Sequence, residues 1–133
     1  YIVRAFIPVI KTNGGGDVVL IGSEAALSGG RYGAVYSATK FAMRGFAQAL
    51  RHECAAANVR ATIVNPGMVR TQFFDSLEFE PGADPNNYIE PKDVARAVSG
   101  ALLAPSGTVV DEINLSPLKR VVRRKTDDAD NWR

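Results

Sequence analysis

The chain has 133 residues, 46% of them apolar and 23% charged, which excludes disorder along most of its length and any coiled-coil or collagen-like repetition. The 16 Lys and Arg against 14 Asp and Glu leave a net charge of +2, so there is no bulk electrostatic case for nucleic acid or an anionic membrane as partner. The single cysteine, Cys54, excludes an intrachain disulfide, and no Cys/His spacing reads as a metal site; both fit a reducing, cytoplasmic setting.

In chain order, residues 1–12 are helix-compatible, with Pro8 as a candidate kink. The run is too short, and too interrupted by Arg4, to span a membrane, and it lacks the order of a signal peptide. Residue 1 is Tyr rather than Met, and Tyr1–Ile10 reads as the middle of an element, so the sequence is expected to start inside a longer chain. Asn13-Gly14-Gly15-Gly16 breaks the helix. Asp17–Gly22 is a short β-branched run of the kind buried on both faces in parallel sheets. The small residues and glycines of 23–33 form a loop. Residues 34–57 hold no Pro and one Gly, and Ala38, Phe41, Ala42, Phe46, Ala49 and Leu50 recur at helical spacing, predicting a long helix with one apolar face.

Asn58 follows as a residue able to take the left-handed conformation that ends helices. Val59–Val64 is a second strand, stopped by Asn65-Pro66-Gly67. Residues 68–90 are a long connection holding Phe73, Phe74, Leu77, Phe79 and Tyr88, and a structureless connection of this length is usually either a functional lid or disordered. Glu90-Pro91-Lys92-Asp93 opens a helix to about Leu103, and Thr108–Leu115 is a third strand. From Lys119 to Lys125 five of seven residues are basic, followed by Asp127, Asp128 and Asp130, which predicts a polar, solvated tail over 119–133. Alternating helices and strands predict an α/β fold with a parallel sheet, and three strands make a narrow one whose first strand is an open edge.

Three side chains stand out for chemistry. Ser23 lies just past a strand end, where ligands bind in open α/β sheets. Tyr36 and Lys40, four apart on the following helix, share a face. A free phenol, with a pKa of about 10, is a poor base at neutral pH, and a nearby ammonium favours its ionised form. A Tyr so placed can act as general acid or base, while a Ser hydroxyl donates a hydrogen bond to an oxygen gaining negative charge. That is the equipment for proton transfer to an alkoxide. The spacing of Tyr36 and Lys40 alone is a weak signal; its setting, thirteen residues after Ser23 and one strand before Asn65-Pro66-Gly67, strengthens it. A hydrolase nucleophile elbow is excluded around Ser23, because position 21 is Ile and position 25 is Ala. His52 reads as a surface or interface residue, and Cys54 as packing.

With Gly22-Ser23, Tyr36-Ser37-Ala38-Thr39-Lys40 and Asn65-Pro66-Gly67-Met68-Val69-Arg70-Thr71 in this order and spacing, the chain resembles the short-chain dehydrogenase/reductase family, from the family's fifth sheet strand to its C-terminus. The resemblance covers residues 1–118 and implies the C-terminal catalytic half of a single Rossmann-like, doubly wound domain. It implies an oxidoreductase that moves a hydride between NADP or NAD and a carbonyl or secondary alcohol. In that reading Tyr36 is the acid/base, Ser23 polarises the carbonyl, and Lys40 holds the nicotinamide ribose. Pro66, Gly67, Val69 and Thr71 line the nicotinamide side. The loop from Gln72 to Tyr88 is a substrate lid whose aromatics, Phe73, Phe74 and Phe79 among them, either wall the pocket or anchor the loop, with Phe73 and Phe74 as the expected substrate contacts.

The family's phosphate loop and the Asn that completes its catalytic tetrad have no counterpart within these residues. Gly14-Gly15-Gly16 precedes a strand instead of following one. Val109–Leu118 is similar to members acting on 3-hydroxy acids and small carbonyls with NADP. The resemblance also implies a homodimer or homotetramer through helices 1–12 and 34–57. The alternative reading is a non-catalytic oligomerisation or interaction module built on those helices.

Overall fold

A computed structural model of the chain describes residues 1–125. Asp127, Asp128 and Asp130, expected in the tail, lie outside the described residues. Three parallel strands form the sheet: β1 (Gly16–Ile21), β2 (Val59–Pro66) and β4 (Glu112–Leu115), in the order β1-β2-β4. The helices are α1 (Ile2–Thr12), α2 (Ala34–Cys54) and α3 (Pro91–Leu102). A second, two-stranded sheet pairs β3 (Phe79–Pro81) antiparallel with β5 (Val122–Arg124). The architecture is the α/β one expected, a Rossmann-like parallel sheet of three strands with flanking helices.

The sheet's centre is β2, all of whose residues but Arg60 are buried. Alternation along a strand sends Val59, Ala61 and Ile63 to one face. There Val59 and Ala61 meet Leu50 and Cys54 of α2, with Val3, Ile7 and Ile10 of α1 and Val18 of β1 packed around them. Each fully buried side chain of this kind contributes about 1.5–3 kcal/mol. Arg60 points to the opposite face, where its guanidinium donates to the Leu102 and Ala104 carbonyls at the end of α3. The helices therefore cover both sides of the sheet. Cys54 is 2% exposed within the core, and His52 is exposed.

Several boundaries follow the local chemistry read from the sequence. α1 continues through Pro8, whose missing N–H forfeits only the bond to Arg4. α2 runs on as a 3-10 turn, Ala55–Ala57, and Asn58 ends it in the left-handed region at φ 57°. Gly15, at φ +122°, packs so closely on Asn58 that a Cβ would collide with the Asn58 carbonyl oxygen.

Four expectations are corrected. The face of α2 that meets the sheet buries Ser37, Ala47, Leu50 and Cys54, whereas Phe41 and Phe46 of the predicted apolar face are exposed. Leu50 of the predicted face is buried as expected; the rest of the sheet-facing stripe is made of small and amphipathic side chains that a hydrophobic count passes over. The third strand pairs only over Glu112–Leu115; at its expected start the Thr108 carbonyl accepts from the Arg60 guanidinium and not from a ladder partner. The 68–90 connection is not structureless: it holds β3 and two 3-10 turns, Gln72–Phe74 and Pro85–Asn87. The basic run from Lys119 is not a free tail, since β5 pairs with the connection; its side chains from Lys119 to Arg124 are nonetheless exposed. Among the described residues no helix is long and apolar enough to cross a membrane.

Candidate active site

The carboxyl ends of β1 and β2 open into a cleft of about 300 Å³. β1 delivers Gly22 and Ser23. The Gly22 N–H donates to the Val64 carbonyl at 2.7 Å, holding the chain on β2 as it leaves the sheet. Ser23, in extended conformation, caps the 3-10 turn Glu24–Ala26, and its Oγ accepts the Ala25 N–H at 3.2 Å. That bond uses a lone pair and leaves the hydroxyl hydrogen able to donate.

The loop that follows is fastened to the start of α2. Gly33 donates to the Gly30 carbonyl, and the buried Ser37 hydroxyl accepts the Gly30 N–H at 3.4 Å. This fixes the first turn of α2, and with it Tyr36, against the cleft. Tyr36 is 42% exposed, and its hydroxyl has no hydrogen-bond partner among the described residues. Lys40, one turn on, lays its ammonium 5.6 Å from the Tyr36 ring centroid. The same ammonium donates to the Gly22 carbonyl at 3.3 Å. Lys40 therefore ties α2 to the strand end that carries Ser23, beside the Tyr36 ring.

β2 delivers the third segment. Gly67 N–H donates to Leu115 O at 2.7 Å, so Pro66 and Gly67 stay in the plane of the sheet. Met68 O and Arg70 N–H then pair with Ile89 at 2.8 and 2.9 Å. Val69, between them, turns its own N–H and C=O to the opposite side, and neither has a partner among the described residues. Thr71 caps the turn Gln72–Phe74 by accepting the Phe73 N–H at 3.3 Å.

The lid supplies an aromatic wall. The Tyr36 and Phe73 rings are 6.4 Å apart, Phe73 meets Phe74 edge-on at 5.2 Å, and Phe74 meets Phe79 at 5.9 Å. Phe74 is 8% exposed and Phe73 56%, so the first anchors the lid and the second faces the opening. Lys125 fastens the turn that carries them by donating to the Phe74 and Asp75 carbonyls at 2.5 and 3.0 Å.

The cleft thus brings together Ser23, Tyr36, Pro66, Gly67, Val69, Thr71, Phe73 and Phe74, with Lys40 next to Gly22 and Tyr36. Sequence reasoning missed Glu24 and Met68 in the lining, whereas Phe79 is one of the lid aromatics expected to wall a pocket. Glu24 adjoins Ser23 and could have been found by adjacency. It also read Asn65 only as a strand stop. Asn65 is fully buried, and its amide donates to Glu112 and Asn114 at 3.1 and 3.0 Å. Its Oδ1 has no partner among the described residues and presses on Gly22, where a Cβ would collide with it. Arg44 of α2 binds the other Glu112 oxygen at 2.9 Å, so α2, β2 and β4 share one polar joint behind the cleft.

Residues 1–81 match the family model of the short chain dehydrogenases. A sepiapterin reductase of Chlorobaculum tepidum is 33% identical over 88% of this chain and 47% of its own length. Among solved structures, an alcohol dehydrogenase of the archaeon Thermococcus sibiricus, complexed with 5-hydroxy-NADP, superposes with a TM-score of 0.75 at 29% identity, over 90% of this chain and 49% of that one. A serine dehydrogenase of Escherichia coli does so with a TM-score of 0.73 at 26% identity, over 91% and 49%. The chain spans about half the length of the curated relatives it matches.

Proposed function

From the premise that this chain belongs to the short-chain dehydrogenase family, we propose that its cleft is a site of reversible hydride transfer between a nicotinamide cofactor and a small carbonyl or secondary alcohol. The observation that carries the reading is the convergence of three separate segments, after β1, at the start of α2 and after β2, on one cleft. The Tyr36 hydroxyl, without a partner, is the proton donor to the carbonyl oxygen in reduction and the acceptor in oxidation. The Ser23 hydroxyl donates to the same oxygen as negative charge grows on it. Lys40, held by the Gly22 carbonyl beside the Tyr36 ring, stabilises the phenolate left when the proton has gone, and orients the cofactor's ribose.

The cofactor, when bound, supplies the hydride. The residues present fit its nicotinamide end. The uncommitted N–H and C=O of Val69 complement a carboxamide, which carries both a carbonyl acceptor and an NH2 donor group, and Pro66, Gly67 and Thr71 line the same cleft. NADP is the expected partner ahead of NAD: the archaeal alcohol dehydrogenase was solved with an NADP derivative, and Val109–Leu118 is similar to NADP-using members. We assign residues 1–118 to the catalytic half of one domain and the protein to the cytoplasm.

A homodimer or homotetramer through α1 and α2 is part of the same proposal. Phe6 and Val9 of α1 are 60% and 53% exposed, and Phe41 and Phe46 of α2 are 44% and 47% exposed, an apolar surface that a second copy would cover. The same surface is what a purely associative, non-catalytic module would present.

One experiment separates the two. The protein carrying these residues is offered a panel of small ketones with NADPH and with NADH, and cofactor absorbance is followed. Turnover, faster with NADPH, is the expected result; no oxidation of either cofactor with any ketone would leave the associative reading alone.

A further inference from the structure

Among the described residues that line the cleft, a single side chain carries a full charge, and it is an acid: Glu24. No Lys, Arg or His lines it. Glu24 follows Ser23 in the turn that Ser23 caps, and both residues line the cleft. Its Oε2 lies against Gly67, 3.0 Å from where a Cβ on that residue would stand. Its Oε1 accepts from Arg120 at 3.0 Å. Arg120 comes from the C-terminal segment, is 70% exposed, and approaches from outside the cleft.

The other cations nearby are engaged elsewhere. The Lys40 ammonium is on the Gly22 carbonyl. Arg70 donates to the Tyr88 hydroxyl at 2.8 Å and lies over its ring. Lys125 is spent on the carbonyls of Phe74 and Asp75. The rest of the wall is apolar: Ile21, Ala25, Met68, Phe73, Phe74 and Phe79.

A site built for a carboxylate substrate presents a Lys or a bidentate Arg fork to it. This cleft presents the opposite charge in a partly dry, aromatic setting, where like charges repel more than in water. We infer that the site takes neutral carbonyl substrates and turns carboxylates away, with Glu24 as the residue that sets the choice. The inference rests on the hydride-transfer reading and narrows it. Of the two substrate classes that the C-terminal similarity allows, 3-hydroxy acids and small carbonyls, it selects the second. Repulsion of the wrong substrate is as effective a source of specificity as attraction of the right one.

The test uses two probes of nearly equal shape that carry the same reactive ketone, acetoacetamide and acetoacetate, with NADPH. The quantity read is the ratio of their kcat/KM values, in which any effect of a variant on the cofactor cancels. The wild type is expected to favour the amide several-fold, and Glu24→Gln to bring that ratio close to one, the effect of a like charge that Arg120 already offsets in part. Arg120→Gln, which uncovers the Glu24 carboxylate, is expected to raise the ratio. Saturation-transfer NMR of the two probes should give the same ranking without turnover.

A wild-type preference for acetoacetate would overturn the inference. So would a ratio unmoved by Glu24→Gln, or loss of acetoacetate use in Arg120→Gln, which would make Arg120 the carboxylate's partner. Absence of binding and turnover for both probes and for every other ketone would remove the hydride-transfer reading itself, and this inference with it. Turnover of both probes without discrimination would remove the inference alone.

Discussion

The two ends of the parallel sheet both open into cavities, and the larger is at the wrong end for chemistry. The amino-end cavity measures about 590 Å³ and is lined by Gly14–Asp17, Arg51, Asn58, Arg60 and Ser106, among others. The carboxyl-end cleft measures about 300 Å³. At the amino end the polar side chains are engaged with one another. Arg60 is bonded to Asp17 through two nitrogens and to four carbonyls, and the bond to Asp17 holds its pKa above the ordinary value. Arg51 pairs with Asp111 at 2.6 Å, and the Asn58 amide donates to the Gly14 carbonyl. At the carboxyl end the Tyr36 hydroxyl, the Ser23 hydrogen and the Val69 peptide groups have no protein partner among the described residues. Volume does not locate a site; uncommitted polar groups converging on one point do.

The contrast predicts that substitutions at the carboxyl end damage function and spare the fold, while those at the amino end do the reverse. The largest expected effect in this set is that of Ser23→Ala. Loss of one hydrogen bond to the developing oxyanion should lower kcat/KM about a hundredfold, roughly 3 kcal/mol, with the thermal midpoint nearly unchanged. Gly15→Ala should have the opposite profile. Its φ of +122° and the Asn58 carbonyl leave no room for a methyl group, so urea denaturation should show about 2 kcal/mol of lost stability. Turnover per folded molecule should stay at the wild-type level.

Phe73→Ala should cost less again. It removes an exposed ring from the lid, and a several-fold rise in KM, about 1 kcal/mol, with little change in kcat is the expected kinetic signature. Arg60→Met is expected to lower the melting temperature by freeing Asp17 and the end of α3, again without loss of activity in the folded fraction. A large loss of turnover in either amino-end variant would break the contrast.

Much of this was legible in the sequence for a physical reason. Ser23, Tyr36, Lys40 and Gly67 sit at strand ends and on one helix face, where local spacing dictates where a side chain goes. The ends of α2 and β2 were legible too, because Asn58 and Pro66-Gly67 act through their own backbone preferences. What was not legible depends on groups far apart in sequence. Glu24 faces the cleft because the carbonyl end of β2 and Arg120, 96 residues away, enclose it. At the expected start of the third strand, the Thr108 carbonyl goes to Arg60, 48 residues earlier in the chain. The sheet-facing stripe of α2 escaped because Ser37, Lys40, Arg44 and Ala47 are not apolar enough to register as a face. The more hydrophobic Phe41 and Phe46 drew the eye to a surface left open.

The central claim is that Tyr36 is the proton donor of the cleft, and the most direct test compares Tyr36→Phe with the wild type for cofactor binding and for turnover on the same preparation. The account predicts that nicotinamide binding and the melting temperature persist while kcat falls about a thousandfold, the contribution expected of a general acid. Turnover within a few-fold of the wild type in Tyr36→Phe would contradict it.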